Sequence, residues 1–317
     1  MSAQPESPRK LRIIQATDIV PVDHPLFLIY GQPSLGKTSL GFSAANAILL
    51  NFDTESALAR AVNRGAAINV LSIDELRELE EGTDLLAPFS TVVIDPIGSC
   101  VNLMSADIID RNPKYGRDGA LSLQGFGVLK SRFKNWMTRL RSMNKDVLLI
   151  AHYKEDRDGD QMYVRPDITG SSKDEVMRLC DCVGFLFMNG KQRTLDFSPS
   201  DRWFAKNPAQ WPAWKIPAPD QAKTFMAQLF QMAREALSKT SEASAKVANQ
   251  VADWQAAIES YTTAEEFTKA VPEILKLAAS PQAQVKKLLM ERSKVLGFGF
   301  DTAKREFSAP QTVSAGW

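Results

Sequence analysis

Cysteine and histidine are scarce in this chain: three cysteines (Cys100, Cys180 and Cys182) and two histidines (His24 and His152) among 317 residues. An odd, sparse set of cysteines makes no disulfide framework and points to a reducing compartment. So few histidines leave no basis for a zinc site of the usual Cys/His kind. Cys180 and Cys182 fall in the apolar run Leu179 to Phe187, which reads them as small buried residues. Charge of one sign is also lacking. The net charge is +1, so nothing overall advertises a polyanion partner, and a nucleic-acid surface would have to be a local patch. No apolar run approaches the roughly 20 residues that span a bilayer. The segment Met1 to Lys10 is polar, without the apolar stretch of a secretory signal. A soluble, cytoplasmic protein with no membrane partner is expected. There is no internal repeat and no heptad pattern long enough for a coiled coil.

What is present is an ordinary globular composition, 44% apolar and 24% charged, in a chain long enough for one large core and a smaller appendage. A polar leader occupies residues 1–20. Leu26 to Tyr30 reads as a buried strand running into a glycine-containing loop, and Ser39 to Ala47 as the helix after it. Three more apolar strands follow: Ala47 to Phe52, Thr91 to Ile94 and Val147 to Ala151. Leu121 to Met143 carries Phe126, Leu129, Phe133, Trp136, Met137 and Leu140 at three- and four-residue spacing, an amphipathic helix. Val183 to Met188 and Thr194 to Phe197 read as a strand pair turning at Asn189-Gly190. Continuous apolar strands alternating with helices predict an α/β fold with a mostly parallel sheet covered on both faces. This core is placed at residues 21–237. Residues 238–246 read as a small polar linker, and residues 247–317 as a small helical C-terminal region.

The residues able to do chemistry end these strands, where open α/β sheets bind ligands. Gly31-Gln32-Pro33-Ser34-Leu35-Gly36-Lys37-Thr38, followed by Ser39, fits the phosphate loop G-x-x-x-x-G-K-[ST] between a strand and a helix. Glycines let backbone N–H groups curl around a phosphate, Lys37 reaches the β- and γ-phosphates, and the Thr38 hydroxyl helps hold magnesium. Asp95 ends the strand TVVI, where a second magnesium element is expected. Asp53 and Glu55 end the neighbouring strand, and a carboxylate there can act as general base toward a water. His152 ends VLLIA, in reach of a γ-phosphate. A nucleoside triphosphate with Mg²⁺ is therefore the expected ligand.

Taken together, GQPSLGKTS, NFDTES, VVIDP and LLIAH resemble the RecA-like recombinase core. The stretch Pro166 to Glu175 (PDITGSSKDE) narrows the resemblance to phage-type ATPases with that core, the group that includes single-strand annealing proteins. The likeness covers about residues 20 to 217 and leaves the helical tail outside. It implies ATP as the choice of nucleotide, and a RecA-like P-loop NTPase fold in which Glu55 activates water and His152 stands where these proteins carry a γ-phosphate sensor, usually Gln. It also implies a basic residue reaching a neighbouring subunit's phosphate, for which Lys206 and Arg202 are the candidates, and hence a homo-oligomer, filament or ring. The segment Tyr153 to Lys173 would be a loop contacting single-stranded DNA through Lys154, Arg157, Arg165 and Lys173, with Tyr153 and Tyr163 interleaved. Five acidic residues in the same segment offset its basic charge.

The expected function is an ATPase that binds single-stranded DNA and acts in recombination or annealing, in a host cytoplasm if phage-encoded. A ring helicase or its loader would share every nucleotide residue. A small-molecule kinase would use Arg111 to Arg117 as its lid. An ATP-gated switch would offer the C-terminal helices to a protein partner.

Overall fold

The computed structural model describes residues 13–19, 22–54, 58–82, 84–158, 161–169 and 172–309. In chain order the first elements are β1 (Leu26–Gly31), α1 (Lys37–Gly41), β2 (Ala47–Asn51), β3 (Ala66–Asn69), α2 (Ile73–Glu81), β4 (Thr91–Asp95) and α3 (Ile97–Arg111). A small hairpin, β5 (Gly116–Arg117) and β6 (Ala120–Leu121), leads to α4 (Leu123–Ser142). Then come β7 (Asp146–Asp158), β8 (Gln161–Pro166), α5 (Ser172–Leu179), β9 (Cys182–Asn189), β10 (Gln192–Asp196) and β11 (Trp214–Lys215). The chain finishes with α6 (Phe225–Ser260), α7 (Ala264–Leu275), α8 (Ala279–Val295), β12 (Gly299–Asp301) and β13 (Glu306–Ser308).

The main sheet runs in the order β11-β10-β9-β1-β7-β4-β2-β3, with β8 paired to β7. From β9 to β3 every neighbouring pair is parallel, and β10 and β11 add an antiparallel edge. This is the expected α/β architecture of a P-loop NTPase core with helices appended at its C-terminal side. Because side chains alternate across a strand, each strand feeds two cores. Leu26, Leu28 and Tyr30 of β1 join Leu50, Ile94 and Leu149 on one face, under α3, α4 and α5. Phe27 and Ile29 join Leu49, Val93 and Ile150 on the other, with Leu40 of α1 and Met226, Leu229 and Phe230 of α6. Covering both faces explains why these strands are apolar throughout rather than at alternate positions.

The chain divides after Leu237 into a unit of residues 22–237 and a unit that includes 238–317. Residues 238–246, expected as a linker, are helical throughout and belong to α6. The segment SKTSEASAK contains neither glycine nor proline, and its alanines, lysines and glutamate favour the helix as much as its serines disfavour it. The expected all-helical tail is also corrected. Phe267 of α7 sits in a cluster with Ile258, Ile274, Val285 and Leu289, and this cluster is closed by Phe307 on the β12–β13 hairpin. Thr263 and Glu266 form a capping box that starts α7. No helix among the described residues is long and apolar enough to cross a membrane.

Two further differences bear on the site. The helix after the phosphate loop is five residues long, so the field at the loop comes from Lys37 and local N–H groups more than from a long helix dipole. The segment from Tyr153 is no irregular loop. β7 continues past the sheet and returns as β8, pairing Tyr153 with Pro166 through to Asp158 with Gln161.

Candidate functional site

Parallel pairing brings the carboxyl ends of the strands to one level: Gly31 of β1 is in register with His152 of β7, and Asn51 of β2 with Asp95 of β4. Beside them lies a cleft of about 520 Å³ lined by the residues from Pro33 to Ser39 together with Asp53, Asp95 and His152. The loop can pass here because two of its positions are glycine. A Cβ on Gly31 would lie 2.0 Å from the Leu186 carbonyl oxygen on β9, a collision that backbone cannot avoid. Gly36, with φ 74°, is left-handed and caps α1. Ser34 takes the left-handed region as well, at φ 62°.

Lys37 is buried, and its Nζ donates to the carbonyls of Gly31 at 2.9 Å and Gln32 at 2.7 Å. Burial pushes its pKa down to about 8, against the opposing pull of the Asp95 carboxylate. Both acceptors are neutral carbonyls, so among the described residues the charge has no direct ion-pair partner and can engage a phosphate. Thr38 donates from Oγ1 to Asp95 Oδ2 at 2.7 Å. Burial raises the Asp95 pKa, and the Thr38 hydrogen bond, Lys37 and His152 oppose that rise. The Asp95–Pro96 peptide is cis.

A hydroxyl and one half-buried carboxylate are hard oxygen donors of the kind magnesium takes, since that ion keeps most of its shell as waters and substrate phosphate. Among the described residues no group of three or more His, Cys, Asp or Glu could hold a metal. The pair therefore suits an ion shared with a nucleotide rather than one caged by protein.

Ser39, expected with the nucleotide ligands, lines the cleft but is nearly inaccessible, and its Oγ accepts from Val62 N at 3.0 Å. Asp53 lies in a turn held by Asn51, whose side chain donates to the Asp53 carbonyl at 3.0 Å and to Asn69 Oδ1 at 2.9 Å. The expected general base, Glu55, lies outside the described residues. His152 lines the cleft, and its carbonyl accepts from Asp167 N at 2.8 Å.

The structure does not bring Lys206 or Arg202 to this cleft. Lys206 pairs with Val183 near the amino end of β9, and its Nζ donates to the Cys180 carbonyl at 2.6 Å. Arg202 is exposed beside Glu155, Met162 and Val164 of the hairpin. The predicted DNA contacts are sorted by the strand pairing. Lys154 faces Arg165 and Asp156 faces Tyr163 on one side of the hairpin, while Arg157 pairs with Met162 on the other. Arg165 stands over the Tyr163 ring at 5.6 Å, and Lys173 reaches Asp156 at 3.8 Å.

Several lining residues escape the sequence pattern: Asn51, Arg60, Ala61, Val62, Arg193 and Pro219. Asn51 left one trace, a polar residue ending an otherwise apolar strand. Arg193 left none, because only the pairing of β10 to β9, and of β9 to β1, carries it to the loop.

No curated protein matches the chain. The model of a family described as AAA domain (AAA_24) matches residues 24–209, a span holding the phosphate loop, Asp53, Asp95, His152 and the hairpin. That match covers more than half of the sequence and includes the strands that carry the phosphate loop, Asp95 and His152, so the chain belongs to the AAA domain family (AAA_24), the P-loop ATPases that bind and hydrolyse nucleotide.

Proposed function

We propose that this ATPase is Mg²⁺-dependent and works on single-stranded DNA in recombination or annealing, as the resemblance to phage single-strand annealing ATPases implies. The observation that carries the reading is strand β7. Its His152 lines the nucleotide cleft, and its next residues rise into the hairpin whose one face holds Lys154, Arg165 and Tyr163. Lys154 and Arg165 stand directly opposite each other, an arrangement of like charges that costs stability unless an anion lies between or over them. Glu155 belongs to the other face, Asp156 lies 3.8 Å from the Lys173 amine, and Asp158 is on the Lys154 face at the end of the hairpin, opposite Gln161. Cations that track phosphates beside a ring that stacks on bases suit a single strand. One strand thus links the γ-phosphate end of the cleft to the DNA face.

In the reaction, Lys37 would exchange its carbonyl partners for the β- and γ-phosphates, and Thr38 and Asp95 would hold magnesium. The metal, when bound, offsets the negative charge of the transferred phosphoryl group. Glu55 would orient the attacking water. Neighbouring copies assemble on the strand, where exposed Arg202 is the candidate to reach the next copy's nucleotide. Lys206 fits that role less well, because its amine is already bonded to Cys180.

The test is binding of a fluorescent oligo-dT in the presence of a non-hydrolysable ATP analogue. Charge reversal of both Lys154 and Arg165 to Glu should weaken binding at least tenfold and reduce its salt dependence. Glu155→Gln, on the opposite face, should leave affinity intact or improve it. Equal affinity in the charge-reversed and parent proteins would remove the hairpin from DNA binding.

A further inference from the structure

Arg193 brings a positive charge to the nucleotide cleft, and among the described residues it forms no ion pair. It lies on β10, outside the phosphate-loop pattern and apart from the magnesium acid. Its Nη1 donates to the Leu35 carbonyl at 2.7 Å, and its Nη2 donates to the Pro217 carbonyl. A Cβ added to Gly36 would come within 3.0 Å of that Nη1 and 3.2 Å of Pro219 Cγ. The guanidinium and Pro219 therefore abut the apex of the loop.

The side chain is half-buried, and burial lowers its pKa. A guanidinium partly removed from water and given only neutral carbonyls is left undercompensated. The two carboxylates that line the cleft among the described residues are engaged elsewhere: Asp95 accepts from Thr38, and Asp53 accepts from Thr54 N at 2.7 Å. Lys37 shows the same arrangement, a buried cation resting on two loop carbonyls. Two such cations resting on carbonyls of one loop point to a ligand with more than one negative charge. The planar fork of arginine is suited to phosphate oxygens.

We propose that Arg193 is a second nucleotide-binding cation, supplied by the same chain, which takes the polyphosphate as its counter-ion while holding the loop through Leu35. The proposal rests on the cleft being the nucleotide site. It differs from the expectation that the additional cation comes from a neighbouring copy.

The experiment compares affinities of the full chain for ADP and for adenosine, which lacks the phosphates, in the parent, Arg193→Ala and Arg193→Lys proteins. Melting without ligand is followed alongside. Arg193→Ala should lose at least tenfold in ADP affinity and keep its adenosine affinity. Arg193→Lys keeps the charge but loses the fork, so it should recover part of the ADP loss. Millimolar guanidinium should restore ADP binding to Arg193→Ala. Unchanged ADP affinity would overturn the proposal. So would equal losses for ADP and adenosine that guanidinium and Lys fail to restore, which is the mark of a brace alone. A parent protein that binds neither ADP nor ATP would instead remove the nucleotide reading of the cleft, a result distinct from failure at Arg193.

Discussion

Thr38 and Asp95, 57 positions apart in sequence, are joined by a hydrogen bond of 2.7 Å from hydroxyl to carboxylate. One ends the phosphate loop and the other ends β4, and strand β7 separates their two strands in the sheet. The bond is made because parallel pairing brings these strands to a common level. It places side by side two oxygen donors that would hold a magnesium ion.

Removing either partner should therefore spare the fold and abolish hydrolysis. Asp95→Asn and Thr38→Ala are expected to bind nucleotide while turnover falls by about 100-fold or more, close to 2.7 kcal/mol of barrier. Turnover measured across a magnesium titration checks this. Parent-like turnover in Asp95→Asn would take that residue out of the metal site.

A second expectation concerns stability. Asp107 of α3 is fully buried and meets three arginines: Arg77 at 2.5 Å, Arg132 at 2.6 Å and Arg111 at 3.0 Å. Burial pushes its carboxyl up, but hydrogen bonds from Arg111 and Arg77 and the charge of Arg132 outweigh that and hold it below its usual range. Because the folded value is depressed, the unfolded chain binds the proton more readily. The stabilisation is then complete above the ordinary carboxylate value of about 4 and is lost as pH falls through the depressed one. Asp107→Asn leaves Arg77, Arg111 and Arg132 without that carboxylate, and should cost about 3–5 kcal/mol at neutral pH. It should also flatten the acid limb of the stability profile. Urea unfolding from pH 7 down to pH 3 checks both, and a variant as stable as the parent would contradict the role given to this cluster.

The elements that the sequence makes legible are those governed by local chemistry. Leu26–Gly31, Ala47–Asn51 and Thr91–Asp95 are apolar because both faces of each strand are covered, and the loop from Gly31 to Thr38 is recognisable because phosphate binding needs glycine at its bends. The failures have equally physical causes. The resemblance implies a loop after His152, yet β8 gives β7 an antiparallel partner that lets charged strands persist in water. Only that pairing separates Lys154 and Arg165 from Glu155. Residues 238–246 resemble a linker in composition but contain nothing that breaks a helix. Arg193 and Asn51 reach the cleft through sheet order and a buried amide network, neither of which is visible along the chain.

The most direct measurement is steady-state ATP turnover of the full chain with Mg²⁺, with and without single-stranded DNA, in the parent protein and in Lys37→Ala. Turnover in the parent that rises several-fold with DNA and disappears in Lys37→Ala is the predicted result. Turnover that survives loss of Lys37 would contradict the cleft as the catalytic site, and turnover indifferent to DNA would contradict the link from His152 to the hairpin.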